Sequence, residues 1–311
     1  MSFTDQVKHE LTRNKSSHIA ELAALIRMNG SIQINNNQLA VTVKLHQGEL
    51  ARRLYSLIKD NYDLDLEIIV QHINQLNYNK VYKLVLVPQS GIKNLLINLG
   101  FLDNNNDIIY RIKKDFNRQN ESGKAYLRGV FLGGGSVNDP SSEYHLELRC
   151  NYETHAEDIL SLIKKFNLKA YLNNHNSKYV VYFKCYNEII KFLNIIGASN
   201  AQLKMEEIHL VKEVKNNVNR KVNAETANLD KTVEAAMKQL ENIEIIEKTQ
   251  GLNSLSVSLQ EIAVLRKQNP FASLKELGEL LEPSLSKSGV NHRMRRIKKI
   301  ADQFKTNDHN G

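Results

Sequence analysis

The chain has 311 residues, of which 41% are hydrophobic and 24% are charged, the ordinary composition of a globular protein with a buried core. This length predicts two or three domains, and the net charge of +8 favours an anionic partner, most commonly nucleic acid. Two cysteines without a CxxC pair argue against a disulfide framework and a zinc site. A polar N-terminus and the lack of any long apolar run predict a cytoplasmic protein.

The first hundred residues alternate between helical and strand patterns. Phe3, Val7 and Leu11 share one helical face and predict a short leading helix. A second helix carries Ile19, Leu22, Ala23 and Ile26 at helical spacing. The pattern then predicts, in order, strands at 31–34 and 39–45 with a turn of asparagines at 35–37, a helix at 49–61, strands at 66–73 and 81–87, and a helix at 92–99.

A second unit with the same order follows. The predicted elements are a helix at 125–132, a strand at 144–150, a helix opened by a capping box at Thr154 and Glu157 and ending at Phe166, a strand at 179–185, and a helix at 188–196. The expected fold is therefore α+β, a pseudo-two-fold pair of α-β-β-α-β-β-α units.

The same phrase opens both units. Residues 21–32 are ELAALIRMNGSI and residues 126–137 are YLRGVFLGGGSV, with the small residues Ala24 and Gly129 placed to let two helices approach closely. The phrase resembles the signature helix of the LAGLIDADG homing endonucleases. In that family the penultimate Asp of each copy holds the catalytic metal, and here those positions are Asn29 and Gly134. The asparagine amide is a poor ligand for a hard cation, and glycine has no side chain that could bind one. We therefore expect no enzyme activity, no metal site and no cofactor.

A polar helical segment joins these units to the C-terminal part. Leu229, Val233, Ala236, Leu240 and Ile243 form an amphipathic stripe, which predicts a connecting helix packed on another element.

Three helices are predicted at 258–268, 273–281 and 288–304. Ser258 with Glu261 and Ser273 with Glu276 form capping-box patterns, and Gly278 is the small residue that a tight crossing needs. This order predicts a helix-turn-helix, although the turn at 282–286 is longer than usual.

The third of these helices has one apolar and one basic face. Residues 286–305 contain seven Lys or Arg and one acidic residue, and residues 1–203 carry a further net +5, enough for a second weak contact surface. A recognition helix contacts base edges with its N-terminal residues and phosphates with its basic ones. We assign Ser288, Asn291, His292 and Arg295 to base edges and Arg293, Arg296, Lys298 and Lys299 to phosphates, and we add Lys275, Ser286 and Lys287 to the DNA-binding set. The alternative is an amphipathic helix with solvated charges.

The whole chain resembles the WhiA family of bacterial cell-division and sporulation regulators. The resemblance rests on residues 127–140 (LRGVFLGGGSVNDP), 222–232 (VNAETANLDKT), 273–281 (SLKELGELL) and 286–293 (SKSGVNHR). It implies a degenerate LAGLIDADG scaffold joined to a helix-turn-helix. The implied domains are two LAGLIDADG-like halves at 1–110 and 111–200, a helical linker at 201–250, and a DNA-binding domain at 251–311.

The resemblance implies a non-enzymatic, nucleoid-associated protein that binds double-stranded DNA and regulates cell division, chromosome segregation and sporulation through transcription. Two alternatives stay open. The LAGLIDADG-like part could hold a protein partner, with DNA binding secondary, or the chain could retain residual endonuclease activity.

Overall fold

The computed structural model describes residues 1–14, 16, 18–35, 38–75, 78–175 and 178–307. The chain divides into two compact units, Met1–Lys212 and Glu213–Gly311. The asparagine turn predicted at 35–37 falls largely on residues 36–37, outside the described residues.

The first unit contains the predicted tandem repeat. A leading helix α1 (Phe3–Thr12) buries Phe3, Val7 and Leu11, as their spacing predicts. The first half then comprises α2 (Ile19–Asn29), β1 (Gly30–Asn35), β2 (Gln38–Leu45), α3 (Gly48–Asn61), β3 (Glu67–Gln75), β4 (Tyr78–Leu86) and α4 (Ile92–Asn98). The second half comprises α5 (Glu121–Gly134), β5 (Gly135–Val137), β6 (Leu146–Cys150), α6 (Glu153–Lys165), β7 (Tyr171–His175), β8 (Lys178–Phe183) and α7 (Tyr186–Ile196). The α+β pseudo-two-fold fold is confirmed.

Each half forms one antiparallel four-stranded sheet. The strand orders are β1-β2-β4-β3 in the first sheet and β5-β6-β8-β7 in the second. Alternate side chains, such as Val41, Val43 and Leu45 of β2, point into a common core with the helices. The other face of each sheet is turned away from that core.

Local predictions in the second half needed two corrections. Strands β5 and β7 are absent from the predicted elements, because β5 has only three residues and the five residues of β7 do not alternate between apolar and polar. The capping box predicted at Thr154 is wrong, since α6 begins one residue earlier with Tyr152 as its N-cap and no side-chain capping bond.

Helix α8 (Ser199–Thr249) contains the boundary between the two units. Ile243 and Ile246 near its end belong to the core of the second unit, which confirms that this part of the stripe is packed. Leu229, at the start of the stripe, remains 62% exposed.

The second unit continues with a 3-10 turn (Leu252–Ser254) and three helices, α9 (Val257–Gln268), α10 (Leu274–Glu279) and α11 (Lys287–Asn307). The capping box at Ser273 and Glu276 is present in both directions, as predicted. The box predicted at Ser258 is wrong, because α9 starts at Val257 with Ser256 as its N-cap. The core of this unit includes Leu259, Ile262, Leu277, Val290, Met294 and Ile297 together with the buried end of α8.

Candidate nucleic-acid interface

Helix α11 has the two faces that its sequence predicts. Val290, Met294, Ile297 and Ala301 are buried against α9 and α10. The opposite face carries the exposed residues Ser288, His292, Arg295, Arg296 and Lys299, and the exposed Lys298 lies on the flank between the two faces. Burial of one stripe in the helical core orients the helix, so its cations lie together on the solvent side.

The N-terminus of α11 is held by the turn before it. The Ser286 hydroxyl accepts a hydrogen bond from the Gly289 amide at 3.3 Å and lies 2.8 Å from the Ser288 hydroxyl. Leu285 donates its backbone amide to the Gly278 carbonyl at 2.9 Å. A Cβ on Gly278 would collide with the Leu285 carbonyl, so this glycine is needed for the turn to return against α10.

Within the predicted set, Ser286 and Lys287 are exposed at the start of α11, whereas three other residues are half-buried or lie on another helix. Arg293 is half-buried and donates to the Ser258 carbonyl at 3.1 Å, with its guanidinium 3.8 Å from the Glu261 carboxylate. This contact ties α11 to α9. Asn291 is also half-buried. Lys275 is exposed on α10, where its amine lies 3.8 Å from the Glu279 carboxylate.

One flank of α11 faces the end of α8 within the second unit. A cleft of about 410 Å³ lies between them, bordered on α11 by Asn291, Arg295 and Lys298 and on α8 by Lys238 and Glu241. The part of the basic face around Arg296 and Lys299 is therefore accessible to solvent, whereas the edge at Arg295 is bordered by α8.

In the first unit, the signature helices α2 and α5 pack directly on each other. A Cβ on Gly129 would lie 2.6 Å from the Glu21 carbonyl and 2.7 Å from the Ala24 Cβ. Only a glycine allows this backbone approach, which confirms the predicted role of Ala24 and Gly129.

Glu21, at the start of the first signature phrase, has a structural role that the sequence did not reveal. Its carboxylate is fully buried and accepts bonds from Arg53 Nε at 2.9 Å and from Arg128 Nη1 at 3.1 Å. Arg128 also donates to the Ile196 carbonyl at 2.8 Å. The two arginines come from different halves of the unit, so this ion triad joins them.

The equivalent position in the second phrase is Tyr126, which forms a neutral buried pair. Its hydroxyl shares a hydrogen bond of 2.9 Å with Nε2 of His155 on α6. Burial, reinforced by the positive charge of Arg27, lowers the pKa of His155 to about 3, and burial raises the pKa of Tyr126. Both groups are therefore neutral at physiological pH.

The ends of α2 and α5 do not present the donors of a divalent-metal site. Asn29 donates its side-chain amide to the Gly133 carbonyl at 3.1 Å, across the two helix ends. A Cβ on Gly134 would meet the Met28 Cε and the Arg149 carbonyl, so a larger residue does not fit there. Asn29 offers an amide and Gly134 only a hydrogen at these helix ends, and such residues do not fit a divalent cation, which prefers carboxylate oxygens. In the described parts of the chain, no group of three or more His, Cys, Asp or Glu is arranged to hold a metal ion.

Among the described helices, none has the combination of length and apolarity that a membrane span requires.

Comparison with known proteins covers nearly the whole chain. Family models match the WhiA N-terminal LAGLIDADG-like domain at residues 15–102, the WhiA LAGLIDADG-like domain at 123–215, and the WhiA C-terminal HTH domain at 218–301.

Relatives of similar length share the same name. The Probable cell division protein WhiA of Halothermothrix orenii is 58% identical over 98% of this chain and 99% of its own length. The protein of that name from Clostridium perfringens strain SM101 is 41% identical, with the same two coverages. The crystal structure of full-length DUF199/WhiA from Thermatoga maritima is 26% identical, with a TM-score of 0.60 over 98% of this chain and 99% of that one.

Proposed function

Because the chain belongs to the WhiA family, we propose that it is a non-enzymatic DNA-binding protein that acts in cell division through its C-terminal helix-turn-helix. The observation that carries this proposal is the exposed basic face of α11, which is held rigidly by a buried apolar stripe. A solvent-facing row of cations on a well-packed helix suits the regularly spaced phosphates of duplex DNA.

Within the predicted set, the residues divide by what else they contact. Arg295, Arg296, Lys298 and Lys299 are exposed, and we propose that they contact DNA. Ser288 and His292 lie on the same face near the helix start, where base edges come within reach. Arg293 positions α11 through its bond to Ser258, and we propose that its main contribution to binding is indirect.

The proposed role of the first unit is that of a scaffold whose cleavage chemistry has been lost. The amide bridge from Asn29 to Gly133 and the crowded surroundings of Gly134 support this role. We further propose that DNA binding regulates transcription of genes for division and chromosome segregation, and sporulation in organisms that form spores. On this proposal the protein is cytoplasmic and associated with the nucleoid. The four-domain division at residues 110, 200 and 250 remains a prediction.

The test is duplex binding by the full-length chain. The purified protein is used to enrich genomic DNA fragments, which identify the DNA sequence that it binds. Fluorescence anisotropy then measures the affinity of the protein for that duplex at several salt concentrations. Arg296→Ala with Lys299→Ala should weaken binding at least about tenfold and lower the salt slope by about one for each lost phosphate contact.

Two further variants make this test specific. Lys248→Ala removes an exposed cation from α8 and should leave affinity within about twofold. Arg293→Ala should lower the thermal stability of the second unit as well as its affinity, because the α9 contact is lost. Unchanged affinity and salt slope in the Arg296 and Lys299 variant would refute the proposed interface.

A protein-interaction role for the first unit is the second candidate. It is favoured by the exposed apolar residues Ile68, Ile69 and Val70 on the edge strand β3, since unpaired strand edges recruit other chains. Replacing Ile69 by Lys should abolish such recruitment and leave duplex affinity unchanged.

A further inference from the structure

The outer face of the second sheet carries a row of aromatic rings. His145 beside β6, Tyr182 of β8 and Tyr171 of β7 lie across neighbouring strands. The ring of His145 is 5.9 Å from that of Tyr182 at an interplanar angle of 24°, and the ring of Tyr171 is 5.5 Å from it at 26°. Three near-parallel rings therefore stand in line on a face that the hydrophobic core does not use.

Cations lie against these rings. The Lys184 amine is 5.3 Å from the centre of the Tyr182 ring, and the Lys169 amine is 5.7 Å from that of Tyr171. The acidic residue of this face, Glu147, is already bound by Arg149 at 2.5 Å and by the Ser136 hydroxyl at 3.1 Å. The lysines thus remain available to an incoming anion.

Two of these rings, those of His145 and Tyr182, line a shallow cleft together with Lys184. Its volume is about 580 Å³, within the range that holds a nucleotide-sized ligand. The lining residues include His145, Arg149, Lys178, Tyr182 and Lys184. Aromatic rings and cations at one cleft can together contact a base and its phosphate.

The first sheet shows that the fold does not require this arrangement. Glu67 pairs with Val85 in the first sheet where Tyr171 pairs with Tyr182 in the second. By the same strand registers, Ala40 takes the place of His145. Val81 and Val87 likewise correspond to Lys178 and Lys184. The two sheets share the pattern of apolar residues that face the core. At the matched positions of the outer face, the rings and most of the cations are found in the second sheet and not in the first.

We propose that the outer face of the second sheet binds an unpaired nucleobase together with its phosphate, as found in single-stranded nucleic acid or a free nucleotide. Aromatic side chains stack on bases of any sequence, while neighbouring cations contact the backbone. In duplex DNA the base faces are covered by neighbouring base pairs, and only edges and phosphates are accessible. This face therefore selects unpaired bases over a duplex, and it lies in the first compact unit, whereas α11 belongs to the second.

The experiment uses the full-length chain carrying Arg295→Ala, Arg296→Ala and Lys299→Ala, which removes the proposed contribution of α11. The probe is a fluorescein-labelled, mixed-sequence DNA 12-mer, read by anisotropy as a single strand and as a duplex. We expect the single strand to bind at least about tenfold more tightly than the duplex. Competition with unlabelled AMP distinguishes the two possible ligands. Strong displacement of the labelled strand by AMP identifies a free nucleotide as the ligand, and weak displacement identifies a single strand.

Variants of the ring row test the chemistry. Tyr182→Val inserts the residue that the first sheet carries and should weaken single-strand binding about tenfold. Tyr182→Phe keeps the ring and should retain affinity within about threefold. Lys184→Ala should weaken binding and flatten its salt dependence, whereas Lys44→Ala on the outer face of the first sheet should do neither.

Circular dichroism melting confirms that each variant is folded. The proposal is overturned if the single strand does not bind, if duplex and single strand bind equally, or if Tyr182→Val binds as well as Tyr182→Phe. Because the α11 variant is the starting protein, these results do not depend on duplex recognition by the helix-turn-helix.

Discussion

The side-chain amide of Asn29 donates a hydrogen bond to the carbonyl of Gly133 at 3.1 Å, joining the ends of α2 and α5. The resemblance to LAGLIDADG nucleases implies that the metal-binding carboxylates of a nuclease would lie at these helix ends. The amide stabilises the contact between the two helix ends, because it donates a hydrogen bond to the Gly133 carbonyl. A carboxylate at the same position would repel that carbonyl. A neutral donor at position 29 thus supplies a structural contact between the two helices.

Asn29→Asp should therefore destabilise the first unit without restoring nuclease activity. Replacing the donor by a carboxylate leaves the Gly133 carbonyl unpaired beside a negative charge, a loss of about 1–3 kcal/mol. Urea unfolding measures this loss, and Asn29→Ala, which adds no charge, should lose less. Magnesium-dependent nicking of supercoiled DNA by Asn29→Asp would contradict the conclusion that the site at Gly134 is closed.

Gly129→Ala should weaken the junction of the two halves. The added methyl would lie 2.6 Å from the Glu21 carbonyl, so α2 and α5 must separate, at about 1–3 kcal/mol. The matched control is Gly289→Ala in α11, where an added Cβ has an ordinary contact of 3.4 Å with Leu285. That change should stabilise the second unit by up to about 1 kcal/mol, because alanine favours helix. Equal effects of the two substitutions in urea unfolding would argue against the close helix crossing.

His155 should make the protein less stable in mild acid. Its pKa is about 3 when folded and about 6.5 when exposed, so below pH 6.5 the unfolded chain binds a proton that the folded chain excludes. Stability contributed by the neutral imidazole is present above pH 6.5 and falls as the pH drops toward 3. Between pH 7 and pH 5 this loss is about 2 kcal/mol. His155→Gln should reduce the pH dependence by that amount in urea titrations, and an identical pH dependence would show that His155 is not the titrating group.

The two serine patterns of the C-terminal domain should differ in their contribution to stability. Ser273 caps α10 through bonds to Glu276 in both directions, so Ser273→Ala should cost about 1 kcal/mol. Ser258 lies inside α9 and makes no capping bond, and Ser258→Ala should change stability by less than about 0.5 kcal/mol. Thermal melts of the two variants compare them directly, and similar melting temperatures would contradict the assigned N-caps.

The sequence predicted most elements because their patterns are local. Helices such as α1 and α11 repeat apolar residues over two or more turns, and the small residues Ala24 and Gly129 of the signature phrases mark a close approach. Short strands and helix starts were less predictable. Ser258 and Ser273 both match a capping box, and only the position of the helix start, which depends on packing, distinguishes them.

The repeat, the presence of Asn29 and Gly134 in the two signature phrases, and the one-sided basic helix all follow from residue type and spacing along the chain. The ion pairs of the charged side chains depend instead on tertiary packing. Glu21 and Arg128 are separated by more than a hundred residues and yet meet in a buried triad, and Arg293 contacts α9 instead of the exposed face. Cross-strand registers likewise brought His145, Tyr171 and Tyr182 into one row. Such contacts depend on chain segments far apart in sequence, so no local pattern encodes them.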